Sequence, residues 1–171
     1  MYPLEVRGFL PTRIVRVRRP LLCSLLLATA SAVVLPAADL SIPPTYGSAG
    51  ATVTAPVQYR AEKASIAALQ FDLLFDSNVM SISATVGSAA AAAGKTAASN
   101  LLAPGVLRVI VFGINQNVIG NGSVVDLAIT LNPNARRGAY SLDFQNVVGA
   151  SPNAQEVPIG ARSGTIISNG K

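Results

Sequence analysis

Residues Ile66–Asp76 read IAALQFDLLFD, an alternation sustained over eleven positions. Successive side chains of an extended chain point to opposite faces. Ala67, Leu69, Phe71, Leu73 and Phe75 therefore share one face, and Ala68, Gln70, Asp72 and Leu74 share the other. This segment predicts a strand with one face in a core. Further short runs repeat the theme, each bounded by turn-forming residues. Thr52–Tyr59 alternates, with Val53, Ala55, Val57 and Tyr59 on one side. Met80–Val86 follows the turn residues Asp76-Ser77-Asn78, and Val106–Phe112, after Pro104-Gly105, reads as a buried strand. Ser123–Leu131, Tyr140–Val148 and Gly164–Ser168 complete the set, with turns at Asn115–Gly122 and Pro133–Gly138. Gly87–Asn100 is rich in Ala, Gly and Ser. Its five-alanine run favours a helical turn or two but offers no wide apolar face, so it reads as a surface loop. Eight or so strands, turn signals every 8–12 positions and no long helical pattern predict an all-β, two-sheet sandwich.

The net charge of +5 suggests a nucleic-acid surface only until its distribution is read. Arg7, Arg13, Arg16, Arg18 and Arg19 all precede residue 20, opposed by Glu5 alone. From Val33 onward eight Lys/Arg face seven Asp/Glu, leaving a balance of +1 and no basic stripe for releasing counterions. No nucleic-acid partner is expected. Leu21–Leu35 is an apolar run directly after Arg18-Arg19-Pro20, shorter than the roughly 20 residues of a membrane span. Small residues follow at Ala28-Thr29-Ala30 and Ala30-Ser31-Ala32, with a later exit near Ala37-Ala38. Basic, apolar and small-residue regions in this order predict a secretory signal peptide over residues 1–38, cut between about 30 and 38. A domain over 39–171 follows, secreted or at the cell surface, with no stable membrane span and no C-terminal anchor. Cys23, the only cysteine, falls inside the apolar run with Leu22 before it, a poor lipidation site. The mature part then holds neither thiol nor disulfide.

That part also lacks histidine. Ser-His and Cys-His pairs, zinc sites built on N or S ligands and the usual near-neutral proton shuttle are excluded with it. Asp72 and Asp76, the nearest carboxylates, stand four apart on a strand, about 13 Å by its rise, too far for either glycosidase geometry. Asp72 reads as a solvated strand residue and Asp76 as a turn former. Gly94-Lys95-Thr96 resembles the end of a phosphate loop, but position 89 is Ala where the motif requires Gly. No EF-hand loop is present, and no cofactor or metal is expected. Sugar-stacking platforms use Trp and Tyr, and the chain has no Trp. The chain reads as a binding domain, not an enzyme.

The order of segments resembles the cohesin domain. Gly50-Ala51-Thr52-Val53, completed by Ala55-Pro56-Val57, is similar to that family's glycine-led opening strand. Ile66–Ile82, IAALQFDLLFDSNVMSI, is similar to its strand ending in an aromatic–Asp pair, with Phe75-Asp76 in that role and Ser77 where proline is usual. The Gly105–Phe112 strand, Gly122 leading to Ala128-Ile129-Thr130-Leu131, and Gly164-Thr165-Ile166-Ile167 follow in the family's order, so the likeness spans Asp39 to Asn169. It implies a nine-stranded jelly-roll sandwich and a partner, a dockerin module, bound on one sheet face in polysaccharide-degrading assemblies. The outward residues Ala68, Gln70 and Asp72 of the central strand, with Arg108 and Asp126 on adjoining strands, are the candidate contacts. Better-known members carry Asn and Asp where Ala68 and Gln70 stand. The alternatives are that these are ordinary solvent-facing residues, that the module binds polysaccharide directly, or that it is a surface or adhesin subunit packing through the Ala-rich loop.

Overall fold

The computed structural model describes residues 38–170; the expected signal peptide, but for Ala38, lies outside them. Two sheets pack face to face. One has five strands in the order β11-β1-β3-β8-β5: Ile159–Arg162, Ala38–Ser41, Thr52–Ala61, Gly122–Leu131 and Met80–Val86. The other runs β2-β12-β9-β4-β7-β6: Thr45–Gly47, Gly164–Ser168, Gly138–Ala150, Ala68–Leu74, Val106–Phe112 and Thr96–Ala103, with β10 (Glu156–Val157) added to β9. The edge pairs β1–β11 and β2–β12 are parallel; every other pair is antiparallel. The two-sheet sandwich expected from the alternation is the fold. The described residues form twelve strands; β1, β2, β10 and β11 are segments of two to four residues, too short to leave a periodic signal.

The core lies between the sheets. From the five-stranded side come Leu40, Val57, Tyr59, Leu127 and Ile129, and from the other Leu69, Phe71, Leu73, Val109 and Ile166, all fully or nearly fully buried. Phe71 meets Phe144 edge to face with ring centroids 5.2 Å apart, an arrangement the ring quadrupoles favour. Tyr59, buried with this set, donates its hydroxyl hydrogen to Ala64 O at 3.3 Å.

In Gly87–Asn100 the expected helical turn forms as α1 (Ser88–Ala92), against β8. The second half departs from the surface-loop expectation and begins β6. Seven of the eight β6 residues are exposed or nearly so, and only Ala97 packs on the core, so a strand forms there with no alternation to announce it. Its partner β7 supplies the register, Ala98 opposite Ile110 and Asn100 opposite Arg108. Gly105 turns the chain between them at φ +80°, where a Cβ would come within 2.5 Å of Phe75 O. Only glycine fits there.

Candidate functional site

Asp72 and Arg108 stand directly opposite each other on β4 and β7, on the outward face of the second sheet. The guanidinium grips the carboxylate in a fork, Nε to Oδ1 at 2.7 Å and Nη2 to Oδ2 at 2.8 Å. Asn146 adds a third donor, Nδ2 to Oδ2 at 2.8 Å. Its side chain reaches Asp72 because β9 bulges here. Gln70 pairs with Val148 but Asp72 pairs with Gln145, and Asn146 takes φ +49°, a left-handed conformation that asparagine tolerates better than most residues. Asp72 is 2% exposed, which corrects the expectation of a solvated strand residue. Its carboxyl is held below the usual carboxylate range by the Arg108 hydrogen bonds, with burial working the other way and Asn146 assisting. Arg108 is raised in turn by its bond to Asp72.

Apolar side chains surround this closed pair. Val106–Phe112 was expected to be a buried strand, but only Leu107, Val109 and Val111 face the core; Ile110 and Phe112 are exposed on the outer face. Val148 on β9 and Leu102 on β6 join them. Between β6 and β7 lies a shallow dish of about 250 Å³, lined by Ala98, Ser99, Asn100, Leu102, Arg108 and Ile110. Ala68 and Gln70 are half-buried on the same face, Ala68 opposite Ala150 and Gln70 between Ile110 and Val148. The structure therefore brings Ala68, Gln70, Asp72 and Arg108 together.

It does not bring Asp126 to them. That residue lies on β8 in the other sheet, opposite Pro56 and Thr85, and accepts a bond from Ser123 Oγ at 2.6 Å. β8 pairs with β3 and β5 instead of adjoining β4, and strand order in a sandwich does not follow chain order. Asn146, Ile110, Phe112, Val148 and Leu102 were missed. The signal for two of them was present, since VLRVIVF carries apolar residues on both faces while β4 alternates.

Lys95, from the rejected phosphate-loop match, is buried. Its Nζ donates to Asn115 O at 2.9 Å and Asn115 Oδ1 at 2.8 Å, and burial lowers its pKa. Asn117 Nδ2 donates to Ala93 O at 3.2 Å. These bonds fasten the loop 113–121, which holds the fully exposed Ile114 just beyond Phe112. Among the described residues no group of three or more His, Cys, Asp or Glu could hold a metal ion. No described helix is long and apolar enough to cross a membrane.

Two sheets packed face to face, with almost no helix, place the chain in the class of β-sandwich domains. Residues 38–167 match the model of the cohesin domain, and the chain belongs to that family. Solved structures agree in fold. A cohesin in a type I cohesin–dockerin complex from Clostridium thermocellum superposes with a TM-score of 0.70 at 14% identity, covering 80% of this chain and 96% of that one. The sixth cohesin of scaffoldin B from Acetivibrio cellulolyticus, solved with a Cel5 dockerin, gives 0.69 at 18% identity over 77% and 99%. A non-cellulosomal cohesin from the archaeon Archaeoglobus fulgidus gives 0.64 at 14% over 77% and 90%. No curated protein matches the sequence.

Proposed function

We propose that this chain is an exported, non-catalytic module that docks a protein partner of dockerin type on the outer face of β6, β7, β4 and β9. The observation that carries the reading is the concentration of Ile110, Phe112, Leu102 and Val148 around a closed ion pair on one sheet. Isolated exposed apolar residues need no explanation, whereas a cluster on one sheet face marks an interaction surface. Cohesins of the same fold solved with dockerins support the choice of partner. The basic and apolar opening of the chain supports export, and the family resemblance supports a role beside polysaccharide-degrading proteins. Direct glycan stacking has little to stand on. The exposed aromatics, Tyr46 and Phe112, sit on β2 and β7 with three strands between them.

Titration calorimetry against a panel of dockerin modules tests the reading. Ile110→Asp and Val148→Asp should each weaken a bound module about tenfold or more, with thermal melting little changed. Binding that survives both substitutions would show that the partner sits elsewhere.

A further inference from the structure

The Asp72–Arg108 pair is closed on its acidic side and open on its basic side. Asp72 accepts three donors and is almost wholly buried. A guanidinium has five N–H groups; two are spent on Asp72, and the Arg108 guanidinium makes no other hydrogen bond among the described residues. With its side chain 35% exposed, it offers three N–H donors beside the dish that Ala98, Leu102 and Ile110 line. The remaining charges are distributed to one side. Strands β4, β6, β7, β9 and β10 together carry four charged residues: Asp72, Arg108, Asp143 and Glu156. Asp143 pairs with Leu74 and Glu156 with Ala150, so both share the outward register of Ala68 and Asp72. The face thus offers free N–H donors over β6–β7 and is acidic at both ends of its β9–β10 border.

We propose, building on the docking reading above, that the partner is a protein whose contact surface sets an aliphatic anchor in the β6–β7 dish with a carboxylate beside it on Arg108, and basic residues over Asp143 and Glu156. The aliphatic side chain covers Ile110 and Leu102, and the carboxylate takes the free guanidinium donors in a charge-assisted contact. The border carboxylates fix which way round the partner lies, since a reversed partner would set its acid against Asp143 or Glu156.

The test is a phage-displayed library of helical hairpins with randomised contact positions, selected against the full chain, with Ile110→Asp as counter-target. The expected result is enrichment of Asp or Glu next to Leu, Ile or Met, with Lys or Arg flanking. Those binders should lose about tenfold or more in affinity for D72L/R108L, which replaces both members of the pair by apolar residues so that no buried charge is stranded. Arg108→Lys keeps the charge without the fork and should lose severalfold even where the double variant folds poorly. D143K/E156K should weaken the binders that carry flanking cations. Binders without an acidic residue, or indifferent to both Arg108 variants, would overturn the inference while leaving the docking face standing. Recovery only of binders insensitive to Ile110→Asp would sink the docking face itself. Sedimentation of the full chain as a dimer that Ile110→Asp dissolves would assign the face to a second copy and overturn the proposal.

Discussion

The two outer faces of the sandwich are built on the same core and follow opposite rules. The five-stranded sheet turns Thr52, Thr54, Ser81, Ser83, Thr85, Ala128 and Thr130 outward, small and mostly hydroxylic side chains. Thr52 and Thr130 share a bond of 2.8 Å between hydroxyls, and Thr85 donates to Asp126 O at 3.2 Å. The other sheet turns out Ile110, Phe112 and Val148 and locks its central carboxylate away. The hydroxylic face exposes no large apolar side chain and presents hydroxyls that water can serve, so water is an adequate neighbour. The apolar face has area still to bury and spare N–H donors. Of the two, only the second gains by being covered.

The comparison can be broken most forcefully from the shared core. Phe71→Ala should cost about 3–5 kcal/mol and abolish both faces together, seen as one cooperative transition moved to lower denaturant. A smaller and one-sided effect is expected from Asp72→Ala. Losing the fork and the Asn146 bond should cost about 2 kcal/mol, measured by the same unfolding titration. Arg108→Ala should lower the melting temperature further than Asp72→Ala, because it leaves the buried carboxylate with Asn146 alone. The pair also has a pH signature. The folded-state pKa of Asp72 lies below its ordinary value of 3.8, so its stabilisation is complete above that value and is lost as pH falls through the folded pKa. The stability difference between wild type and Asp72→Asn should therefore shrink as the pH is lowered below about 4. Asp126→Ala, on the hydroxylic face, loses the Ser123 bond and should cost under about 1 kcal/mol. It should leave partner binding unchanged in calorimetry. A binding loss there would mean that the two faces are not functionally distinct.

How much of this was legible in the sequence depended on whether the information was local. Met80–Val86 and Val106–Phe112 are strands over the very residues that alternation and turn signals marked. Ala68, Gln70 and Asp72 were placed on the correct side of β4 because period two leaves no other choice. The burial of Asp72 was not legible. It depends on Arg108, 36 residues away, and on Asn146, 74 away, and no pattern along β4 contains either. Asp126 went to the wrong sheet for the same reason: its own strand was right, but which strands flank it is a matter of topology. β6 escaped notice because Thr-Ala-Ala-Ser-Asn-Leu-Leu-Ala has almost nothing to bury and therefore no period.

That indifference of β6 to the core bears on how such a module can change. Substitutions along it, away from Ala97, meet solvent rather than packed neighbours, and exposed positions of this kind usually move stability by under about 0.5 kcal/mol. Yet the same strand forms one wall of the dish beside Arg108. If the dish is the docking site proposed above, drift there would alter which partner is welcomed while the fold stays intact, and one sandwich would yield a lineage of differing recognition from a strand it barely needs in order to stand.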